Sequence, residues 1–387
     1  MAQGTEKNRR PRIAILMMGG GARAAYQVGV LKAVARMLPA GAPSPFRIIC
    51  GTSAGAINAA SIATVADDYK KAVRRLDAVW RNFHVNQVFR SDALGIARTG
   101  LHWILTMLLG GYMQRGPVYL LDRRPLNRLL KRYIKMDAIE GLVEKGVLHA
   151  FSVTASGYQS GQSVTFFEAA EEVIPWRRVR RVGSRAHITY KHLMASSAIP
   201  LIFEAVRVHR EYFGDGSMRQ ISPLSAPIHL GADRIFVIGN RKEDENTGER
   251  VVSTSPPTLA QIAGHALNSI FLDSLESDLE RLERINRTVE LIPENERIEH
   301  GGLTLRRVES LQVSPSEDLG LMAQPFSKLL PLPVKILLRG IGAYRGEGSD
   351  LLSYLLFERE YCRELIALGF HDTMAMEAEV RAFLEID

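Results

Sequence analysis

The segment IICGTSAGAIN (residues 48–58) places Ser53 between Gly51 and Gly55, directly after a short apolar run. A serine in G-x-S-x-G can act as a nucleophile when a strand enters the motif and a helix leaves it, because the sharp turn exposes the hydroxyl. The two glycines remove side chains where strand and helix crowd together and allow a strained backbone at Ser53. The stretch also fits an ordinary strand–helix turn in which Ser53 caps the helix. On this stretch alone the two interpretations carry similar weight.

A serine nucleophile needs hydrogen-bond donors for the oxyanion that it creates. The segment MMGGGARAA (17–25) places Gly19, Gly20 and Gly21 between an apolar run and a helical pattern. Amides at a helix N-terminus can point together at an anion. If the first two strands are parallel neighbours, this loop lies beside Ser53 at the carboxyl edge of the sheet, and the Ala54 amide adds a donor.

The same loop fits a dinucleotide fingerprint, with Gly19, Gly21 and Ala24 at its three positions. That function requires an acidic residue about 20 positions further along, to hold the ribose. The sequence has no Asp or Glu between residues 7 and 66. The nucleotide interpretation is therefore rejected, and no cofactor is predicted.

Short apolar runs alternate with helical patterns around these motifs and predict a parallel sheet covered by helices. Strands are predicted at 12–18, 46–50, 148–155, 163–169 and 234–239, with a further strand-like run at 287–292. The polar, turn-rich segment 240–257 predicts a linker. It separates a predicted catalytic domain (12–240) from a C-terminal extension (258–387) whose role and packing the sequence leaves open.

The proton acceptor for Ser53 is the remaining question. A Ser-Asp-His triad would draw its histidine from those late in the chain, His229, His265, His300 or His371, and none of them follows a convincing strand. Ser53 also lies in the second strand, whereas an α/β-hydrolase reaches its nucleophile only after several strands. The topology therefore points away from that fold.

Four motifs in order resemble a patatin-like phospholipase domain of the bacterial type: GGGARAAYQVGVL, GTSAGAINA, ASSAIPLIFEAV (195–206) and YFGDGS (212–217). The resemblance covers roughly residues 12–240. It implies a patatin-type three-layer α/β/α sandwich with a mostly parallel central sheet. The patterns beyond residue 258 predict a mainly helical C-terminal extension.

The resemblance also implies a catalytic dyad without histidine. By motif position Ser53 is the nucleophile and Asp215 the proton acceptor, with Gly216 as the glycine of the aspartate motif. Gly19, Gly20, Gly21 and Arg23 belong to the oxyanion loop in this alignment of motifs. The sequence departs from the family pattern twice: Ala24 replaces the last glycine of the loop motif, and Ser217 occupies a position where glycine or alanine is commoner.

The resemblance implies a lipid acyl ester as substrate, such as a phospholipid, lysophospholipid or neutral glyceride, hydrolysed through an acyl-enzyme without metal or cofactor. A non-catalytic lipid- or acyl-binding module and an acyltransferase are the alternatives. Two apolar segments, 101–113 and 330–344, are too short to span a bilayer. Each is predicted as a cap over the site, an interfacial helix or part of the core.

Composition adds the cellular setting. The 387 residues carry a net charge of +7, a polar N-terminus and two cysteines, which predicts a cytoplasmic protein with reduced thiols. Five arginines in WRRVRRVGSR (176–185) form either a solvated loop or a patch for peripheral contact with an anionic membrane. Nucleic acid is the least favoured partner, because no nucleic-acid motif accompanies the charge. The oligomeric state is left open.

Overall fold

The computed structural model describes residues 10–92, 119–242, 259–271, 273–293, 296–297, 299–300, 303–340 and 349–386. The predicted segment 101–113 lies outside these ranges. Residues 341–344 of the second apolar segment and 243–257 of the predicted linker lie outside them too.

Within the described ranges, ten strands form one mixed sheet whose central strands are parallel. Along the sheet the order is β12-β9-β1-β2-β3-β4-β6-β5, with β8 paired to β3 and β7 paired to β8. The strands are β1 Ile13–Met17, β2 Ile48–Thr52, β3 Ala150–Gly157, β4 Ser163–Ala169, β5 Trp176–Arg178, β6 Arg181–Arg185, β7 Val206–Val208, β8 Glu211–Asp215, β9 Arg234–Ile238 and β12 Glu309–Val313. A separate two-stranded ribbon contains β10 Glu299–His300 and β11 Leu303–Thr304.

Helices cover both faces of this sheet. They are α1 Ala25–Met37, α2 Ala54–Ala63, α3 Tyr69–Trp80, α4 Val85–Val88, α5 Arg124–Tyr133, α6 Ala138–Glu144, α7 Tyr190–Ser196, α8 Ser225–His229, α9 Leu259–Phe271, α10 Asp273–Glu290, α11 Leu319–Ala323, α12 Leu332–Gly340, α13 Ser349–Leu355, α14 Arg359–Ala375 and α15 Glu377–Leu384. Short 3-10 helices occupy Gly21–Ala24, Gly216–Arg219 and Gln324–Leu329.

The central strand β1 shows why there are two cores. Ile13, Ile15 and Met17 face one apolar cluster, and Ala14 and Leu16 face the other, because successive side chains of a strand point to opposite faces. Helices α1 and α2 contribute to the first cluster, whereas α8 and α10 contribute to the second. The predicted α/β/α sandwich with a mainly helical C-terminal region is thus confirmed.

The sequence misassigned two segments. The predicted strand at 287–292 is wrong, because α10 continues to Glu290. Leu275, Leu282 and Val289 repeat every seven residues and are all buried, so the helical pattern runs into the apolar stretch. The arginine-rich segment 176–185 is not a loop but the antiparallel pair β5–β6 at one edge of the sheet.

The described part of the C-terminal extension packs on the first 240 residues. Strand β12 joins the sheet in parallel with β9, and α14 lies against α1. A Cβ atom on Gly369 of α14 would lie 2.2 Å from the Tyr26 carbonyl oxygen, so the two helix backbones nearly touch. The boundary between the two predicted domains remains a prediction. In the described part of the chain, no helix is both long and apolar enough to cross a membrane.

Candidate active site

Strand register brings Ser53 and Asp215 together. Strand β2 pairs with β3 as far as Thr52 opposite Thr154, and β8 pairs with β3 from Asp215 opposite Ala155 onward. Strand β4 occupies the other edge of β3, so β2 and β8 lie end to end along the same edge. The last residue of β8 therefore meets the residue that follows β2, which is Ser53.

The two side chains form a direct hydrogen bond. Ser53 Oγ donates to Asp215 Oδ2 at 2.6 Å, and the exposed fractions of the two residues are 2% and 0%. Ser53 has φ 55° and ψ −128°, a backbone conformation that costs free energy for a residue other than glycine. Its amide donates to Ser196 Oγ at 2.8 Å, and that hydroxyl donates to the Thr154 carbonyl at 2.6 Å. The strained turn is therefore held by hydrogen bonds to α7 and β3.

Burial changes the acidity of Asp215. Desolvation raises its pKa from 3.8 to about 6, opposed by the hydrogen bonds from Ser53 and Ser217 and by the positive charge of Arg123. Asp215 Oδ1 accepts the Ser217 amide at 3.0 Å, which orients the carboxylate so that Oδ2 faces Ser53. A carboxylate with a raised pKa is a stronger base than an ordinary one.

The motif glycines lie where backbones meet. A Cβ atom on Gly55 would lie 2.3 Å from the Met17 carbonyl oxygen, and one on Gly216 would lie 2.1 Å from the Thr154 carbonyl oxygen. No side chain fits at either contact. Gly51 lies in β2, where the strand passes close to Ala56 of α2. These contacts are the physical reason for glycine on both sides of Ser53 and after Asp215.

The glycine loop runs from β1 into the 3-10 helix Gly21–Ala24. Asn240 Nδ2 donates a hydrogen bond to the Gly19 carbonyl oxygen, and the Gly20 carbonyl accepts the Arg23 amide at 3.1 Å. The first amides of any helix have no acceptor within that helix. Gly21 begins the 3-10 helix, Ala54 begins α2, and both residues line the same cavity as Ser53.

Arg23 lies in this loop as predicted, but its side chain is directed into the C-terminal extension. The guanidinium donates to Ser353 Oγ at 2.7 Å and to Asp350 Oδ1 at 2.8 Å. The Arg23 amide is also occupied, by the Gly20 carbonyl. Neither its side chain nor its amide is therefore arranged as an oxyanion donor.

Of the four candidate histidines, His229 is engaged in another contact and two others are exposed. His229 stacks on Trp176 with ring centroids 4.8 Å apart, and burial lowers its pKa to about 4. His265 is exposed, and the His371 side chain is 80% exposed. The side chain of His300 lies outside the described part of the structure.

A cavity of about 580 Å³ borders Ser53. Most of its lining is apolar, with contributions from Ile57, Val65, Leu76, Leu126, Leu130 and Phe203. Three exposed cationic side chains, Arg75, Arg132 and Lys135, also line it. The cavity thus joins the buried serine to a basic stretch of the surface, and its lining suits a hydrocarbon chain.

Two residues near the pair were not identified from the sequence. Ser196 lies within the motif ASSAIPLIFEAV, but nothing in the motif revealed that it binds the Ser53 amide. Arg123 is buried, with hydrogen bonds to Ser197 Oγ at 3.2 Å and to the Glu204 carbonyl at 2.7 Å. Nothing in the flanking sequence distinguished Arg123 from the exposed arginines of the chain.

The fold and the site define a class of protein: an α/β/α sandwich in which a serine at a strand–helix turn faces a buried aspartate. The sequence profile described as patatin-like phospholipase matches residues 15–228, more than half of the chain. The chain therefore belongs to the patatin-like phospholipase family, which supports lipid hydrolysis as its general activity.

Solved structures show more distant similarity. The chain is similar to VipD from Legionella pneumophila with 11% identity and a TM-score of 0.41, covering 96% of this chain and 67% of that one. It is also similar to a chain from the complex of full-length SpcU with full-length ExoU, from the type III secretion system of Pseudomonas aeruginosa. There the identity is 14% and the TM-score 0.26, with 90% of this chain and 77% of that one covered. No curated protein sequence matches this chain significantly.

Proposed function

We propose that the protein is a serine acyl-ester hydrolase for lipids, with Ser53 as nucleophile and Asp215 as proton acceptor. The observation that carries this proposal is the 2.6 Å hydrogen bond from Ser53 Oγ to Asp215 Oδ2. It lies at a strained turn beside an apolar cavity. A merely structural serine would need neither the strain nor the buried carboxylate.

In the first step Ser53 Oγ bonds to the acyl carbon as its proton passes to Asp215 Oδ2. The carbonyl oxygen becomes an oxyanion, and the amides of Gly20, Gly21 and Ala54 are the donors that we assign to it. The raised pKa of Asp215, about 6, makes this proton transfer less uphill while the carboxylate stays mainly ionised at pH 7.

The intermediate then expels the alcohol, which takes the proton from Asp215 and leaves an ester on Ser53. Water gives a proton to Asp215 as its oxygen attacks this ester. When the second intermediate collapses, the fatty acid leaves and the proton returns to Ser53 Oγ. The dyad thus handles both half-reactions without a cofactor.

A fluorophosphonate probe tests this proposal directly, because it reacts only with an activated serine. The purified chain should be labelled, and peptide mapping should place the adduct on Ser53. Ser53→Ala should abolish both labelling and ester hydrolysis. Ser44→Ala, which removes a buried serine hydroxyl bound to the Phe46 amide and outside the cavity lining, should leave both intact.

Labelling that persists in Ser53→Ala would contradict the nucleophile. A chain that binds lipid but neither reacts with the probe nor hydrolyses esters would instead be a binding module. Transfer of the acyl group to an added alcohol in preference to water would indicate an acyltransferase.

A further inference from the structure

The Arg23 guanidinium links the glycine loop, called the oxyanion loop below, to α13. Nε donates to Ser353 Oγ at 2.7 Å, one terminal nitrogen donates to Asp350 Oδ1 at 2.8 Å, and the group lies 4.2 Å from the centroid of the Tyr354 ring. The Arg23 side chain is only 4% exposed. Because the Arg23 side chain is buried and its bond to the half-buried Asp350 carboxylate is charge-assisted and directional, the geometry of the contact is narrowly defined.

Asn268 of α9 completes this network from the side. Its Nδ2 donates to Asp350 Oδ2 at 2.7 Å, and its Oδ1 accepts the Tyr354 hydroxyl at 2.8 Å. Both carboxylate oxygens of Asp350 are therefore bound, one by Arg23 and one by Asn268. This network is half-buried at Asp350 and Asn268, and because each member has a hydrogen-bond partner, it restrains the positions of its parts.

The backbone of the loop touches the same helix. A Cβ atom on Gly21 would lie 2.2 Å from the Tyr354 carbonyl oxygen, and Gly21 has φ 55°. Gly21, which lines the cavity, therefore packs directly against the backbone of α13 and leaves no room there for a side chain. A shift of α13 would move Gly21 and the amides next to it.

The residues that follow α13 form part of the cavity. Phe357 lines it and packs against Phe83 with ring centroids 5.7 Å apart. Glu358 Oε2 lies 3.1 Å from His84 Nδ1, at the start of α4. Residues 349–358, named here the clamp segment, therefore contact both the oxyanion loop and the wall of the cavity that borders Ser53.

We propose that the clamp segment, together with Asn268, positions the oxyanion loop, so that the C-terminal extension belongs to the catalytic apparatus. This inference rests on the proposed hydrolase function. The clamp segment and Asn268 both lie beyond residues 15–228, the part of the chain that matches the family. Asp350 is then a positioning residue that acts on the loop amides through Arg23, without touching the substrate.

The loop must be held in place because an oxyanion site tolerates only small displacements of its hydrogen-bond donors. Its donors must lie within about 2.7–3.1 Å of the developing charge, and a misplacement of about 1 Å by a distant change can cost roughly 100-fold in rate. Loosening the clamp segment should therefore lower turnover more than substrate affinity, because the oxyanion forms during the reaction and is absent from the bound substrate.

The test compares Asp350→Asn and Ser353→Ala with Tyr26→Phe in the full-length chain. Tyr26 donates to Asp372 Oδ2 at 3.0 Å, a buried polar link between α1 and α14 that also ties the C-terminal extension down but is not made by the loop. For each variant we would measure kcat and KM on a p-nitrophenyl ester, the fluorophosphonate labelling rate and Tm.

We expect Asp350→Asn to lower kcat and the labelling rate by about tenfold or more, with KM within about twofold. Ser353→Ala removes no charge and two hydrogen bonds, one from Arg23 Nε and one to the Asp350 carbonyl oxygen. It should give a smaller loss of the same kind, and it guards against misfolding of the first variant. Tyr26→Phe should lower Tm while keeping kcat and labelling.

Unchanged kcat and labelling in folded Asp350→Asn and Ser353→Ala would overturn the inference. Losses that follow Tm equally in all three variants would overturn it as well, because the contact would then be only stabilising. If the wild-type chain itself is neither labelled nor active, the proposed hydrolase function fails instead, and the two failures are thereby distinguished.

Discussion

Asp215 combines two properties that conflict in an ordinary residue, since it is a carboxylate and it is fully buried. Its neighbours compensate only in part. The hydrogen bonds from Ser53 and Ser217 and the charge of Arg123 favour the ionised form, yet desolvation dominates and keeps the pKa near 6. In the proposed mechanism, the base strength of Asp215 is therefore obtained at the expense of folding stability.

Asp215→Asn should abolish hydrolysis and stabilise the fold. The amide keeps the shape and can accept from Ser217, but it cannot take the Ser53 proton. A pKa raised from 3.8 to about 6 destabilises the ionised folded protein by up to about 3 kcal/mol at pH 7. Denaturant unfolding should show the variant to be more stable above pH 6.

The gain should shrink as the pH falls from 6 to 3.8, where Asp215 becomes protonated in both the folded and the unfolded chain. A variant of equal stability to the wild type at pH 7 and pH 4 would show that Asp215 is not held as a costly anion. Retained hydrolysis would remove it as the proton acceptor.

The pH profile provides a second prediction at this scale. Since Asp215 must be ionised to accept a proton, kcat/KM should fall as the pH drops through about 6. Burial lowers the pKa of Arg123 only to about 10. Because this value is still above neutral pH, the guanidinium remains charged and favours the ionised Asp215 carboxylate. Arg123→Gln should move the acid limb to higher pH.

Arg123→Lys is the matched control, because it keeps the positive charge while losing the hydrogen-bonding fork. Its acid limb should stay near that of the wild type. Equal limbs in the Gln and Lys variants would mean that the charge of Arg123 does not act on Asp215.

At the scale of elements, α2 has two roles. Its N-terminus follows Ser53, and one of its faces lines the cavity with Ile57, Ser61 and, just beyond the helix, Val65. Steps of four residues keep these side chains on one face. Ser61 lies eight residues beyond Ser53, about 12 Å along the helix axis, so an acyl chain bound to Ser53 would run beside this face.

Ser61→Phe should therefore shorten the acyl chains that the enzyme accepts. The Ser61 hydroxyl donates to the Ile57 carbonyl at 2.8 Å, and a phenyl ring at this position would fill the cavity some distance from the ester. We expect kcat/KM for p-nitrophenyl palmitate to fall about tenfold or more, with p-nitrophenyl butyrate nearly unaffected. Ser61→Ala, which adds no bulk, should preserve the wild-type ratio. Equal losses on both esters would place the acyl chain elsewhere.

At the scale of the whole molecule, the arginine-rich pair β5–β6 lies at one end of the sheet order. Val179, in the turn between these strands, is 87% exposed, and Arg177 and Arg180 are exposed beside it. An exposed apolar residue flanked by arginines suits an anionic lipid surface. We propose that this edge makes the peripheral membrane contact that the sequence left open as one of two alternatives.

Liposome flotation tests this contact. The chain should float with vesicles that contain phosphatidylserine, and less so as salt rises. Replacing Arg177 and Arg180 by Gln should weaken binding roughly tenfold or more, since each arginine near such a surface contributes about 1 kcal/mol. Replacing Lys71 and Arg74, which are exposed on α3, removes the same charge elsewhere and should have little effect. Equal losses in the two double variants would indicate a response to net charge alone.

The sequence by itself determined the features that consecutive residues encode. The turn around Ser53, the glycine loop and five of the ten strands described in the main sheet were predictable, because strand–turn–helix periodicity and the need for small residues at close contacts are local properties. The order of four motifs then identified the family, although each motif alone was ambiguous. The strand at 287–292 failed because a short apolar run fits a strand and a helix equally well. Only the heptad burial of α10 separated the two.

Only the tertiary structure decided which distant residues meet. Asp215 is 162 positions from Ser53, and its place depends on two strands sharing one edge of β3. Arg23 finds its partners more than 240 positions away in the C-terminal extension, where no motif marks them. Such contacts arise from strand register and helix packing over the whole chain. The burial that raises the pKa of Asp215 arises in the same way, because desolvation depends on everything packed around the carboxylate.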